Sequence, residues 1–248
     1  MRVPGIIGGL GPDTTAVFYK ALVQASDSRG GAHRPGMLTW SVPIDYKHER
    51  EAIQFGSGED RLLPMLYDSV ERLERGGADF LVMPCNSLHV FHSVLQRHAQ
   101  VPFISIVEET AKLLSQSGFS RVALLGSPIT LGKEIYQSAL HSRGISTVVP
   151  SSSDTELLAS MIHRLVAGQR LEDDGARFEA LVEKLHASGA DTVVLACTDL
   201  QLLLSPALRP LCVDTLQVLV EATIREVFKR PGSDMNVSPL TVEGRLTL

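Results

Sequence analysis

Residues 73–89 read LERGGADFLVMPCNSLH, and residues 185–201 read LHASGADTVVLACTDLQ. Aligned, Leu73 falls on Leu185, Gly77 on Gly189, Asp79 on Asp191 and Cys85 on Cys197. Each copy reads as a helix end, a Gly-Ala-Asp turn, a short apolar strand and a cysteine at the strand's tip. A polar pair follows each thiol, Asn86-Ser87 and Thr198-Asp199, where the next helix is expected to open. A chain that builds one thiol-bearing corner twice is expected to point both thiols into one cleft from opposite sides.

The duplication extends outward. IIGGLGPDTTAVFYKAL, from Ile6, is echoed by ALLGSPITLGKEIYQSAL, from Ala123, and VPFISIVEET, from Val101, by PLCVDTLQVL, from Pro210. Short apolar runs alternate with longer amphipathic stretches, the pattern of parallel strands joined by helices. Strands are expected near Val3–Ile7, Gly36–Ser41, Phe80–Met83, Phe103–Ile106, Val122–Leu125, Thr147–Val149, Thr192–Leu195 and Leu211–Val213. Helices are expected over Thr14–Ser26, Arg61–Gly76, His89–His98, Glu108–Gln116, Leu131–Arg143, Glu156–Ala167, Ala176–Ser188 and Leu216–Phe228. The fold class is α/β, with two pseudo-symmetric domains, each a mainly parallel sheet flanked by helices. The site is expected in the cleft between them, at the strands' C-terminal ends. Residues 1–100 with 212–230 form the first expected domain and 101–211 the second. Residues 231–248 lose helical periodicity and read as a loose tail.

Composition narrows the function classes. A net charge of −5 without a Lys/Arg run argues against nucleic acid and anionic membranes as partners. No apolar stretch approaches a membrane span, and the first residues lack the shape of a signal peptide. Three cysteines without a secretion signal point to reduced thiols and a cytoplasmic setting.

Three readings of Cys85 and Cys197 compete. As an acid/base pair on opposite faces of a small substrate, they would invert a carbon centre. Reversing that reaction exchanges the two roles, so two chemically equal groups suit it. A helix N-terminus next to each thiol would favour the thiolate, and such thiols would alkylate rapidly near neutral pH. Asn86 and Thr198 would cap those helices or donate to a substrate carboxylate. The second reading makes both thiols ordinary core residues at strand ends. The third is metal binding, for which His89 and His92 near Cys85 are the sole support, without zinc-like spacing. Cys212 has no counterpart in the repeat and reads as core. Tyr19, Tyr46 and Tyr136 read as packing residues, with Tyr46 close enough to Arg50 to edge a pocket. Gly9-x-Gly11 lacks the third glycine of a dinucleotide fingerprint, and no phosphate-binding loop is present.

GGLGPDTT at 8–15, MPCNSLH at 83–89, EET at 108–110 and ACTDL at 196–200 resemble the aspartate/glutamate racemase family. The resemblance runs from about residue 3 to residue 229. It implies racemisation or epimerisation without pyridoxal phosphate or another cofactor, by a cysteine pair between two pseudo-symmetric domains, often in a homodimer. Carried over, Cys85 and Cys197 alternate as base and acid. Asn86, Ser87 and Thr198 hold the α-carboxylate and amine, Leu10 and Gly11 line the floor, and Ser127 and Thr130 form the opposite wall. Asp199 stands where the family more often has Glu.

Members that take aspartate carry an arginine in a P-D-R segment eight residues before the second Gly of G-x-G-E-D. Arg50 stands at that spacing before GSGED, with His48-Glu49 in place of Pro-Asp, and its fork would take a side-chain carboxylate. The alternative is a surface arginine paired with Glu49 or Glu51. Val166 occupies the position of a second basic residue usual in aspartate-specific members, which opens specificity to glutamate or a less acidic side chain. The expected substrate is therefore an acidic amino acid, aspartate or glutamate, with Arg50 to receive its side-chain carboxylate. Related folds also host one-cysteine decarboxylases, hydantoin racemases and a double-bond isomerase. Both cysteines argue against the first and Arg50 against the second. A non-catalytic ligand-binding protein on the same scaffold is the remaining alternative.

Overall fold

The computed structural model describes residues 1–29 and 33–229. The expected tail at 231–248 lies outside these residues. The first half runs β1 (Pro4–Gly8), α1 (Pro12–Asp27), β2 (Leu38–Ser41), α2 (Tyr46–Phe55), α3 (Leu63–Arg75), β3 (Phe80–Val82), α4 (His92–His98) and α5 (Ile106–Gln116). The second runs β4 (Arg121–Gly126), α6 (Pro128–Gly132), α7 (Ile135–His141), β5 (Ser146–Val148), α8 (Ser152–Val166), α9 (Asp174–Ala187), β6 (Thr192–Ala196), β7 (Cys212–Asp214) and α10 (Thr215–Val227).

All described pairings are parallel, in two sheets ordered β2-β1-β3 and β5-β4-β6-β7. Phe103 makes an isolated parallel bridge to Leu81 at the outer side of β3, the place β7 takes beside β6. The order of one sheet thus repeats that of the other, strand for echoed strand. The eighth expected strand, at Phe103–Ile106, reduces to that bridge. Pro102 beside it has no N–H for a ladder, and Ser105 caps α5 immediately afterwards.

The Gly-Ala-Asp turns show why the repeat folds alike. Gly77 and Gly189 sit at φ +93° and +89°, which side-chain-bearing residues rarely adopt. Asp79 then accepts from the Val3 N–H at 2.6 Å, and Asp191 accepts from the Ser120 and Arg121 N–H groups at 2.7 and 2.9 Å. Each aspartate therefore ties its strand to the start of the neighbouring central strand, and the register is the same in both sheets, with Pro4 opposite Phe80 and Val122 opposite Thr192.

Each half has an outer core. One joins Ile7, Leu66, Val70, Leu81 and Leu95; the other joins Leu125, Leu158, Ile162, Phe178 and Leu195. A third core is common to both halves, with Ile6, Phe18 and Phe80 packed in one cluster with Leu124, Tyr136, Val194 and Leu219. Fully burying side chains of this size contributes roughly 1.5–3 kcal/mol each, so the shared cluster fixes how the halves face one another. Helix α10 packs on both α1 and α5. The segment assigned by sequence to the first half is accordingly shared: its strand β7 pairs with β6, and its helix lies on α1.

Two helices differ from expectation. The stretch Leu131–Arg143 is broken into α6 and α7 at Glu134, which takes φ +52°. Helix α2 was not expected. Asp45 starts it by accepting from Lys47 N at 2.8 Å, and Gly56 ends it in the left-handed region.

Candidate active site

The tips of β3 and β6 deliver Cys85 and Cys197 to one cleft, which Leu10, Gly11, Asn86, Ser87, Ser127 and Thr198 also line. Both thiols are free; Cys85 is half-buried and Cys197 is 7% exposed. Of the residues named from sequence, Thr130 lies buried behind Ser127, and Arg50 falls outside the lining.

The residues after the thiols do not cap helices as expected. Only short 3₁₀ turns follow directly, at Ser87–Phe91 and Leu200–Leu203, and none of Asn86, Thr198 and Asp199 caps one. Asn86 bridges the halves instead: its Oδ1 accepts from the Tyr136 hydroxyl, and its Nδ2 donates to Thr215 Oγ1 at 3.0 Å. Thr215 in turn donates to the Leu195 carbonyl at 2.7 Å, on the strand that carries Cys197. Reciprocally, Thr198 Oγ1 donates to the Pro84 carbonyl at 3.1 Å, next to Cys85. Each cysteine corner is thus held by the residue that follows the opposite cysteine. Tyr136, expected to pack, is a core residue that also braces the cleft.

On the other wall Ser87 lies 2.7 Å from Ser127 and 3.3 Å from Thr130, and the latter two are 3.1 Å apart. This hydroxyl trio offers rotatable donors and acceptors to an oxygen-bearing ligand. His89 is not disposed toward a metal. Its Nδ1 lies 2.6 Å from the Cys85 carbonyl, and its Nε2 accepts from the Ile106 N–H at 3.2 Å. That pairing makes Nδ1 the donor. Burial, with His92 beside it, pushes the imidazole down to about 3, so it remains neutral and anchors the Cys85 backbone. Among the described residues no group of three His, Cys, Asp or Glu side chains is arranged to hold a metal.

Asp199 sits at the heart of the cleft at 3% exposure. Its Oδ1 accepts from Thr14 at 2.6 Å, and its Oδ2 lies 3.9 Å from Cys197 Sγ. Burial raises this carboxyl to about 6. Gly11 makes the approach possible: a Cβ there would lie 2.6 Å from Asp199 Oδ1, and its φ of +93° already disfavours a side chain.

The thiols are less acidic than the sequence pattern implied. Backbone N–H groups of Ser87 and Leu88 do favour a Cys85 thiolate, but burial outweighs them, and with the Asp199 and Glu49 charges it pushes Cys85 up to about 12. Burial, followed by Asp199, likewise raises Cys197 well above its ordinary value. With both thiols so raised, both sulfurs carry their protons at neutral pH.

Sequence reading missed one lining residue of consequence, Glu49. On α2 it shares a face with Ala52 and Ile53, three and four residues on, and all three line the cleft. Arg50, one residue later, is turned away: it is exposed, and its Nε donates to Gln54 Oε1 at 3.0 Å. Tyr46 is 86% exposed and does not edge the cleft. Val166, at the end of α8, does line it. The Asp45 cap, the Ala52-Ile53 pair and Gly56 are the signals for α2 in the sequence.

Comparison with known proteins agrees with this architecture. The broad specificity amino-acid racemase RacX of Bacillus subtilis (strain 168) is 28% identical over 204 residues, 81% of this chain and 86% of RacX. The aspartate racemase of Picrophilus torridus superposes with a TM-score of 0.74 at 25% identity, covering 99% of both chains. The glutamate racemase of Francisella tularensis subsp. tularensis SCHU S4, in complex with D-glutamate, shares the fold at 15% identity and a TM-score of 0.64, over 92% of this chain and 81% of that one. Residues 7–223 match the profile of the Asp/Glu/Hydantoin racemase family, to which this chain belongs.

Proposed function

We propose that the chain is an amino-acid racemase that works by proton transfer between Cys85 and Cys197. The observation that carries this reading is the delivery of two free thiols, from equivalent strand tips of a repeated half, to one cleft. The thiolate of one cysteine takes the α-proton, and the C–H electron pair remains on Cα, spread into the carboxylate. The S–H of the other cysteine gives its proton to the opposite face and is left as the new thiolate. For the reverse reaction the two sulfurs exchange roles, and no proton is gained or lost overall.

The other groups have supporting parts. The Cys197 thiol is directed at Asp199 Oδ2, which offers an acceptor for its proton when substrate arrives. A bound α-ammonium offsets the negative field of Asp199 and so lowers the cost of a thiolate. Ser87, Ser127 and the N–H groups after each cysteine are the donors available to the α-carboxylate as charge develops on it, while the Thr198 hydroxyl stays on the Pro84 carbonyl. Asn86 holds the corner through Tyr136 and Thr215, which leaves one amide N–H and one oxygen lone pair for a ligand. These steps need only the chain's own groups. No helix among the described residues is long and apolar enough to cross a membrane. The homodimer implied by the family belongs to the same proposal, and sedimentation at working concentration tests it.

The test is inversion by single variants. Cys85→Ala and Cys197→Ala should each lose racemisation in both directions by at least about 10²–10⁴-fold, the usual contribution of a positioned acid or base. Substantial two-way turnover by either variant overturns the two-thiol assignment.

A further inference from the structure

The charges lining the cleft bear on which amino acid it accepts. Ile44, Ile53, Leu62, Ile129, Ile162 and Val166 make an aliphatic wall. No Lys, Arg or His is among the described lining residues, whereas Glu49 and Asp199 are. Arg50, the one cation that spacing offered for a side-chain carboxylate, is exposed and held by Gln54. Val166 fills with a branched alkyl group the place where a second cation was expected.

Glu49 completes the pattern. It is half-buried, faces the cleft beside Ile53, and has no hydrogen-bond or ion-pair partner for its carboxylate among the described residues. Burial and the Asp199 charge raise its pKa, as expected of an acid that lacks a counter-ion. A ligand with a side-chain carboxylate would add a third negative charge to this space with no cation to receive it. An alkyl stem with a terminal cation would lay its methylenes on the Ile/Val wall and supply the missing partner.

We infer that the cleft takes an amino acid whose side chain is an aliphatic stem ending in a cation, such as lysine, ornithine or arginine, rather than aspartate or glutamate. The inference rests on the racemase reading above and names its substrate class.

The experiment follows Cα–H exchange in heavy water by proton NMR, with the full chain and the L-enantiomers of lysine, ornithine, arginine, norleucine, methionine, aspartate and glutamate. A basic amino acid should exceed both acidic ones in kcat/KM by at least about tenfold, and exceed norleucine. Glu49→Gln should raise KM for the basic substrate by about tenfold and leave KM for norleucine within about twofold. That split separates lost ion pairing from a disturbed helix. Exchange of aspartate or glutamate at an equal or greater rate overturns the inference and leaves the racemase reading intact, as does norleucine outpacing every basic substrate. An equal loss toward basic and neutral substrates in Glu49→Gln also overturns it. Exchange with none of the seven refutes the racemase reading for these substrates and the inference with it.

Discussion

The Tyr136 hydroxyl, on α7 of the second half, donates to the side-chain oxygen of Asn86, the residue that follows Cys85 in the first. Thr198, which follows Cys197, returns the relationship by donating to the Pro84 carbonyl. The repeat therefore does more than produce two similar corners. It makes each corner a structural support for the other, so the separation of the thiols is set by buried hydrogen bonds as well as by the shared apolar core.

Breaking that brace should cost stability. Asn86 is 2% exposed and Tyr136 is fully buried. Asn86→Ala removes the acceptor of the Tyr136 hydroxyl, leaving it Thr110 and Thr215 as neighbours, and removes a partner of Thr215, a loss of about 1–3 kcal/mol. For a chain of this size that lowers Tm by roughly 2–4 °C per kcal/mol. Tyr136→Phe should show coupling with Asn86→Ala in a double-mutant cycle by denaturant unfolding. Strict additivity would contradict the brace.

Gly11 should tolerate no side chain. Gly11→Ala must accept φ +93° and a Cβ 2.6 Å from Asp199 Oδ1. Strained backbone of this kind costs on the order of 1–3 kcal/mol, and the Asp199 carboxylate must shift from its place beside Cys197 and Thr14. We expect a reduced Tm and a reduced kcat together, read by calorimetry and steady-state racemisation. Full activity in this variant would show that the Gly11–Asp199 approach is dispensable.

Asp199 should trade stability for activity. Asp199 and Asp214 both titrate at about 6 in the fold, against an ordinary value of 3.8. Between those values the folded chain holds protons that the unfolded chain has released. Their contribution to stability is thus greatest below about pH 4 and falls as pH rises to about 6. Asp199→Asn removes one such group and keeps an acceptor for Thr14. It should gain on the order of 1–3 kcal/mol over the parent above pH 6 and nothing at pH 4, with slower turnover. Equal stability of the two proteins at pH 7.5 would contradict the assignment.

Thiol labelling should be slow until the fold is lost. With Cys85 raised to about 12 from an ordinary 9.0, its thiolate fraction at pH 7.5 falls by roughly a thousandfold. Cys197 is raised as well, and Cys212 reaches about 12. Iodoacetamide should modify the native chain slowly at pH 7.5, faster as pH rises, and all three cysteines promptly in urea. Mass spectrometry that finds Cys85 or Cys197 labelled within minutes in the native chain would refute the buried-thiol picture.

The repeat, the Gly-Ala-Asp turns and the meeting of Cys85 with Cys197 were legible in sequence because local chemistry determines them. A positive-φ glycine, an aspartate that ties two strands and an apolar run are readable from neighbouring residues. What escaped depends on contacts across the chain. Helix α2 is short and highly charged, and Glu49 joins the cleft because α2 packs against α8, about a hundred residues on. The same helix turns Arg50 outward, since adjacent helical residues point to different faces. Local sequence offers Asn86 as a cap or a carboxylate donor, whereas its observed partners, Tyr136 and Thr215, lie 50 and 129 residues away. The helix break at Glu134 had only Gly132 and the Ser127-Pro128 start as local signals, and a single glycine inside an amphipathic stretch does not by itself end a helix.

The most direct test of the central claim is the early fate of label in heavy water. A substrate that the chain turns over is incubated as one enantiomer, then resolved chirally, and each enantiomer is analysed for Cα deuterium within the first few per cent of reaction. Two thiols on opposite faces predict deuterium in the newly formed enantiomer and protium in the recovered substrate, from whichever side the reaction starts. Deuterium entering the recovered substrate as fast as the product would mean that a single group serves both faces, and the account of Cys85 and Cys197 as a pair would fail.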